Sequence, residues 1–252
     1  SETKKIKHHL YGFQDVKKNF STGHWLKLAV NKIKEIRKKN KTPILVGGTG
    51  LYFKSLTHGF VKIPNVPKKF RAKIIKIHDK IGQNKFYKKL IKIDKKSVNK
   101  IDPNDTQRTL RAYEVIKYTN KSLFDWIMQT KKKFKNDEFV KIRIEFPREN
   151  IIERINKRTE KMFKSGVVNE VKNFLKLNVK KDASSSKIIG ISEISDYLSK
   201  KESLLSTKEK ISIKTRQYAK RQATWARGYM KDWHKVHNPK LKNFLKIINT
   251  GS

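Results

Sequence analysis

The amino-acid sequence predicts an α/β fold with a parallel sheet and an inserted module made only of helices. Two segments indicate the sheet: residues 24–56 run from helix through strand and glycine turn to helix, and residues 139–146 alternate strictly between apolar and polar side chains. The inserted module is indicated by residues 68–130, which carry helical patterns and no convincing strand. Alternating helices and strands are typical of parallel sheets, whose ligands usually bind at the carboxyl ends of the strands.

We therefore predict three segments along the chain. Residues 1–64 form the first part of the core, residues 65–135 the helical insertion, and residues 136–252 the second part of the core. The first boundary lies at Ile-Pro-Asn-Val-Pro, residues 63–67, because two closely spaced prolines mark a linker.

The first strong pattern is an amphipathic helix over residues 24–39, which leads into a short buried strand, Ile-Leu-Val, at residues 44–46. Gly47 and Gly48 allow the chain to turn tightly, and Thr49 can cap the helix that follows. Free amides at such a helix start favour an anion, so this turn is a candidate site for a phosphate ester. An ordinary strand–turn–helix corner is the alternative interpretation.

Within the insertion, Asn104 or Asp105 predicts the start of another helix. Arg108 and Arg111 then share one face near that start, where cations oppose the helix dipole. A phosphate or a buried carboxylate would compensate them. Because Glu114 follows Arg111 by three residues, a salt bridge within the helix is the alternative to a phosphate site.

Beyond the insertion, we predict that the strand over residues 139–146 ends at Pro147 and buries one face, formed by Val140, Ile142, Ile144 and Phe146. A helix then continues to about Gly166, and a later helix begins after a loop of small residues, where Glu193 is placed for a capping role. We predict one further short strand around residues 244–248.

The strongest electrostatic feature is the predicted helix around residues 214–227. At 3.6 residues per turn, its packing face would hold Ile211, Thr215, Tyr218, Gln222, Trp225 and Tyr229. The opposite face would hold Arg216, Lys220 and Arg227. Because Gln222 interrupts the apolar face and needs hydrogen-bond partners if buried, we expect this helix to border a polar cavity. A solvated basic face is the alternative.

Composition limits the classes of function. Lys and Arg number 62 against 22 Asp and Glu, a formal charge of +40, which opposes compaction unless a polyanion such as nucleic acid neutralises part of it. Lysine is spread along the whole chain, however, which also fits a compositional drift without function. The lack of cysteine excludes disulfides and thiolate metal sites. Without an apolar run of about 20 residues or an apolar signal core in residues 1–7, we expect a soluble, cytoplasmic protein.

Four motifs follow one another along the chain, at residues 46–52, 103–108, 187–193 and 216–227. Together they resemble the tRNA dimethylallyltransferase family, and the resemblance extends from about residue 8 to residue 229. It implies a P-loop NTPase-like parallel-sheet core with the helical insertion contacting the anticodon stem. It also implies transfer of a dimethylallyl group from its diphosphate to N6 of the adenosine adjacent to the anticodon on its 3′ side.

The resemblance assigns roles to individual residues. Thr49 is the implied catalytic residue, in contact with the reacting adenosine, and Gly47, Gly48 and Arg216 are implied to bind the diphosphate. The implied tRNA-binding residues are Arg71, Gln107, Arg108, Arg111, Lys187, Gly190, Lys220, Arg221, Gln222, Trp225 and Arg227. Lys187 stands where the family commonly has arginine, so we expect a weaker contact there.

One segment of the family pattern is not found in these 252 residues. It comprises a glycine-rich phosphate loop ending in Gly-Lys-Ser/Thr and an Asp-Ser pair whose aspartate is the implied general base. The implied cofactor is Mg²⁺, whose expected protein ligands belong to the same segment. We therefore expect either a piece of an active enzyme or a catalytically silent tRNA-binding chain.

The partners implied are the tRNA anticodon stem-loop and dimethylallyl diphosphate, with no membrane, and we expect a monomer. Two other functions stay open. A generic nucleic-acid-coating protein would need only the charge. A small-molecule kinase is the more distant alternative, because its phosphate loop is missing and the tRNA-facing motifs would then be unexplained.

Overall fold

The computed structural model describes residues 6–181, 183–237 and 239–250. The chain divides into two compact units. Unit 1 comprises Ser1–Ser55 and Phe134–Ser252, and unit 2 comprises Leu56–Lys133. In the described residues, the helices are α1 (Thr22–Arg37), α2 (Gly50–Thr57), α3 (Lys68–Ile93), α4 (Thr106–Thr119), α5 (Leu123–Met128), α6 (Arg148–Lys164), α7 (Val167–Lys176), α8 (Ile191–Leu198), α9 (Leu204–Tyr229) and α10 (Leu241–Thr250).

The sheet of unit 1 has two described strands, β1 (Ile142–Ile144) and β2 (His234–Val236), which pair in parallel. Ile142 is opposite His234, and Ile144 is opposite Val236. The predicted strand over residues 139–146 therefore pairs over three residues only. Its predicted burial is wrong at Val140 and Ile144, which are exposed, because no described layer covers that face. The fold is an α/β arrangement rich in helix, with a small parallel sheet.

Two predicted strands are absent from the described residues. Residues 44–46 have no regular secondary structure, and Ile44 and Val46 are 81% and 84% exposed, because no described strand lies beside them to complete a ladder. The segment 244–248 is helical, within α10. Its apolar side chains recur at helical as well as strand spacing, so periodicity alone could not decide between the two.

The helices of unit 1 after β1 pack around a core of Val171, Ile194 and Ile211, which joins α7, α8 and α9. On α6, the buried Thr159 accepts a hydrogen bond from the Ser212 hydroxyl of α9 at 3.1 Å. This packing holds the N-terminal half of α9 and leaves its C-terminal half to contact other parts of unit 1.

The described helices of unit 2 enclose a core of Ile74, Phe86, Leu90, Ile101, Ala112 and Tyr113. The long α3 is interrupted at Gly82, whose φ of +75° lies in the left-handed region that favours glycine. A buried Asp94 accepts hydrogen bonds from the hydroxyls of Ser97 and Ser122, at 2.8 and 3.0 Å, and so ties the end of α3 to the start of α5.

Replacing Phe86 by alanine should lower the free energy of unfolding of unit 2 by about 3–5 kcal/mol, since a fully buried ring leaves a cavity. Ile75 lies on the same helix but is 40% exposed, so Ile75→Ala should change it by less than about 1 kcal/mol. Chemical denaturation followed by circular dichroism measures both variants. Equal losses would contradict this description of the core.

Candidate functional site

The glycine turn that precedes α2 lies directly against the C-terminal half of α9. The side-chain amide of Gln222 donates a hydrogen bond to the Gly48 carbonyl oxygen at 3.0 Å. A Cβ atom at Gly48 would lie 2.3 Å from Gln222 Nε2, and one at Gly50 would lie 2.1 Å from the Trp225 ring. At Gly50 a side chain would overlap the ring itself, whereas at Gly48 it would displace the flexible end of Gln222 and so break its hydrogen bond. Gln222 thus has the polar partner that its place on an apolar face requires.

Thr49 lies between these two contacts and is exposed. Its carbonyl oxygen accepts a hydrogen bond from the Tyr52 N–H at 3.0 Å, which begins α2. Because Gly48 and Gly50, on either side of Thr49, are held against α9, the backbone position of Thr49 is fixed. A hydroxyl so placed can donate or accept a hydrogen bond with a bound molecule.

Aromatic side chains fix α2 within unit 1. Tyr52 stacks on Trp25 of α1, with ring centroids 4.4 Å apart and planes 11° apart. Phe53 meets Trp233 edge to face at 5.4 Å. Burial raises the pKa of Tyr52, so its hydroxyl stays protonated at neutral pH. Sequence reasoning missed these contacts, although Trp25 on the apolar face of α1 was a signal for one of them.

The C-terminal half of α9 carries cations and rings around an open hollow. The hollow measures about 380 Å³ and is lined by Lys220, Arg221, Thr224, Trp225 and Tyr229. Among the described residues, no carboxylate forms a salt bridge with the cations of this half of the helix, which are Arg216, Lys220, Arg221 and Arg227. These charges are therefore available to an anionic ligand.

The predicted faces of α9 need a correction. Tyr218 and Tyr229 were expected to pack but are exposed, whereas Arg216, expected on the outer face, is half-buried. The reason is that the partners of α9 change along its length. Its N-terminal half packs on α6 and α8, while its C-terminal half packs on the glycine turn, which presents a much smaller surface.

A second, larger hollow of about 480 Å³ lies on α3 in unit 2 and is lined by Lys85, Lys88, Lys89 and Lys92. It contains none of the predicted site residues. A row of flexible lysines along one helix face is an ordinary solvated surface, so the size of this hollow does not make it the better candidate.

The loop before α8 is tied to α9 by a buried carboxylate. Gly190, with φ of +109°, donates its N–H to Glu193 Oε2 at 2.7 Å, which confirms the predicted capping role of Glu193. Lys214 of α9 donates to the other oxygen. Lys187, three residues before Gly190, is exposed at the end of a short turn. Its position thus depends on the attachment of this loop to α9.

Burial of Glu193 would raise its pKa, but the hydrogen bond from Lys214, those from the backbone and the charge of Lys214 outweigh burial and lower it. Glu193 is therefore ionised at neutral pH. Its negative charge offsets Lys214 alone, and the cations further along α9 keep their excess charge.

The remaining predicted residues belong to unit 2. Asp105, one of the two predicted caps, accepts the Arg108 N–H at 3.0 Å and pairs with its guanidinium at 2.7 Å. Gln107 is exposed. Arg111 pairs with Glu114 at 2.8 Å, so the salt bridge offered as the alternative does form, and Arg71 of α3 pairs with the same carboxylate.

In the described part of the chain, no three His, Cys, Asp or Glu side chains are grouped so that they could hold a metal ion. Likewise, every described helix is too short or too polar to cross a lipid bilayer.

Comparisons with known proteins agree on one family. The family model for IPP transferase matches residues 1–229. The tRNA dimethylallyltransferase of Pelagibacter ubique is 55% identical over 251 residues, which cover 100% of this chain and 80% of that protein. The crystal structure of the tRNA isopentenylpyrophosphate transferase from Bacillus halodurans is 28% identical, with a TM-score of 0.64, over 99% of this chain and 78% of that one. A eukaryotic dimethylallyltransferase acting on tRNA, at 24% identity and a TM-score of 0.76 over 99% of this chain and 64% of that one, shares the fold.

Gly50→Ala should destabilise unit 1 by about 1–3 kcal/mol, because the added methyl group would overlap the Trp225 ring. Gly228→Ala is the matched control, since a Cβ there meets nothing within 4 Å. It should be neutral or stabilising by up to about 1 kcal/mol, as expected inside a helix. Denaturant unfolding measures both, and an equal response would contradict the close contact.

Glu193→Gln should lower the free energy of unfolding near neutral pH, with the difference from the wild type shrinking as pH falls. Because the folded-state pKa of Glu193 is lowered, its contribution is fully present above the unfolded value of about 4.3 and is lost as pH falls through the folded value. Denaturation at a series of pH values from neutral to acid measures the difference. A difference that grew on acidification would contradict the prediction.

Proposed function

The chain belongs to the IPP transferase family, and from that premise we propose that it transfers a dimethylallyl group from dimethylallyl diphosphate to N6 of the adenosine next to the anticodon, on its 3′ side. The observation that carries the proposal is the contact of the Gly47–Gly50 turn with the cationic half of α9, through Gln222 and Trp225. It brings the Thr49 turn against the helix that carries the hollow and the cations for which no described carboxylate forms a salt bridge.

The reaction forms a bond between adenine N6 and the first carbon of the allyl group. The bond from that carbon to the diphosphate oxygen breaks, and a proton leaves N6. Since the lone pair of the exocyclic amine is delocalised into the ring, close placement against the carbon contributes much of the rate. In the proposal, the exposed Thr49 hydroxyl contacts the adenosine and so contributes to this placement. In the proposal, the proton passes to the general-base aspartate implied by the family, which belongs to the segment not found in these 252 residues.

Negative charge develops on the departing diphosphate. We propose that the Gly47 and Gly48 backbone and the Arg216 guanidinium bind it, because fixed N–H donors and cations stabilise such charge. The half-buried position of Arg216 supports this role. The family resemblance implies Mg²⁺ as a cofactor. The described residues contain no group of side chains that could hold it, so no step of the proposal depends on the metal.

An adenine stacked in an anticodon loop is out of reach of such a turn, so the base must leave the stack. Lys220, Arg221 and Arg227 would then hold the surrounding phosphates, and Trp225 offers a ring surface near the turn. Lys187, beside Gly190, would extend this cationic surface. Gln107, Arg108 and Arg111 of unit 2 would bind the anticodon stem.

We propose that the sheet belongs to a P-loop NTPase-like core, which the parallel pairing of β1 and β2 supports. A monomeric state and a cytoplasmic location stay predictions.

Thr49→Ala should lower kcat about 10²-fold, whereas Thr49→Ser, which keeps the hydroxyl, should stay within a few-fold of the wild type. The assay incubates the protein with dimethylallyl diphosphate, Mg²⁺ and an anticodon stem-loop bearing the target adenosine, and follows the RNA by mass spectrometry. Unchanged turnover in Thr49→Ala would refute its role. If the wild-type chain binds the RNA without product, the silent tRNA-binding alternative holds for these 252 residues.

A further inference from the structure

Glu114 has no role in the family motifs or in the proposed reaction, although the two arginines that it holds are implied to bind tRNA. Its side chain is 5% exposed and accepts hydrogen bonds from two arginines on two helices of unit 2. Arg71 of α3 donates through Nε at 3.0 Å and through an Nη atom at 2.8 Å. Arg111 of α4 donates through an Nη atom at 2.8 Å.

The charges of this group do not cancel. Arg71 alone holds the carboxylate through two parallel hydrogen bonds, which is the strongest arrangement of such a pair. Arg111 therefore brings a positive charge beyond what neutrality needs. An excess of one positive charge remains in the group.

Both guanidinium groups reach solvent. The side chains of Arg71 and Arg111 are 53% and 38% exposed. Most of their N–H donors are not used by Glu114. The hydrogen bonds to Glu114 raise the pKa of Arg71, so its charge is permanent. Two planar donor groups, fixed at a shared carboxylate and open on the other side, match the oxygens of a phosphate.

We propose that Glu114 is a positioning residue, which holds Arg71 and Arg111, two tRNA-binding residues of the proposed function, as a preorganised clamp for one backbone phosphate. The proposal rests on the proposed function, which supplies the RNA. Arg108, one turn before Arg111, is held by Asp105 and is not part of the clamp. The simpler alternative is a staple between α3 and α4 without a ligand.

Whether Glu114→Gln weakens or strengthens RNA binding distinguishes the clamp from its alternatives. Glu114→Gln removes a negative charge from beside two cations. If charge alone drives RNA binding, or if the group is only a staple, affinity should rise or stay unchanged. In the clamp, the arginines lose the anchor that holds them, and affinity should fall about tenfold.

The test measures binding of the anticodon stem-loop by fluorescence anisotropy at several KCl concentrations. Glu114→Gln should weaken binding about tenfold while keeping the slope of log affinity against log salt, since no cation is removed. Arg111→Gln should weaken binding and reduce the slope by about 0.7–0.9, as one phosphate contact is lost. The matched control is Asp79→Asn, an exposed acid on α3 of the same unit, which should bind as tightly as the wild type or more tightly.

Arg71→Lys provides an independent test in case circular dichroism shows that Glu114→Gln does not fold. Lysine keeps the charge but cannot make two parallel hydrogen bonds, so the clamp predicts several-fold weaker binding at an unchanged slope. Wild-type affinity in Glu114→Gln, or in Arg71→Lys when only that variant folds, overturns the clamp and leaves the proposed function intact. Failure of the wild type to bind the stem-loop overturns both.

Discussion

The close approach of the glycine turn to α9 is the constraint on which the rest of unit 1 depends. A Cβ atom at Gly50 would overlap the Trp225 ring, and one at Gly48 would displace the Gln222 amide that holds the turn. With glycine at both positions, one hydrogen bond and one ring contact hold a strand-like segment and a basic helix at van der Waals distance. This contact places Thr49 beside the C-terminal half of α9, and Trp25 and Trp233 anchor α2.

In this strongly basic chain, two buried carboxylates hold cationic side chains in defined positions. Glu193 in unit 1 and Glu114 in unit 2 are both nearly inaccessible, and each accepts hydrogen bonds from a cation on a neighbouring helix. Removing either would leave a fixed arrangement of cations without its anchor. In the described part of the chain, these two acids therefore fix the positions of a few cations.

Helices, caps and salt bridges that depend on residues close in sequence could be predicted. Contacts between residues far apart in sequence could not. The helix at Thr22–Arg37 and the caps by Asp105 and Glu193 depend on spacing within a few residues. The pair Arg111–Glu114 was foreseeable for the same reason, whereas Arg71, 43 positions from Glu114, was not. Residues 44–46 were predicted as a strand from composition, but a strand exists only with a partner. The contact between Gly48 and Gln222 spans 174 positions, and a polar side chain on an apolar face was its only signal.

The central claim is that the turn and α9 together receive an adenine turned out of the anticodon loop. A crystal structure of the protein with the anticodon stem-loop tests it most directly. The account predicts an unstacked adenine beside the turn, within hydrogen-bond distance of the Thr49 hydroxyl, with backbone phosphates at the cations of α9. An adenine still stacked in the loop, or bound away from residues 47–50, would contradict it.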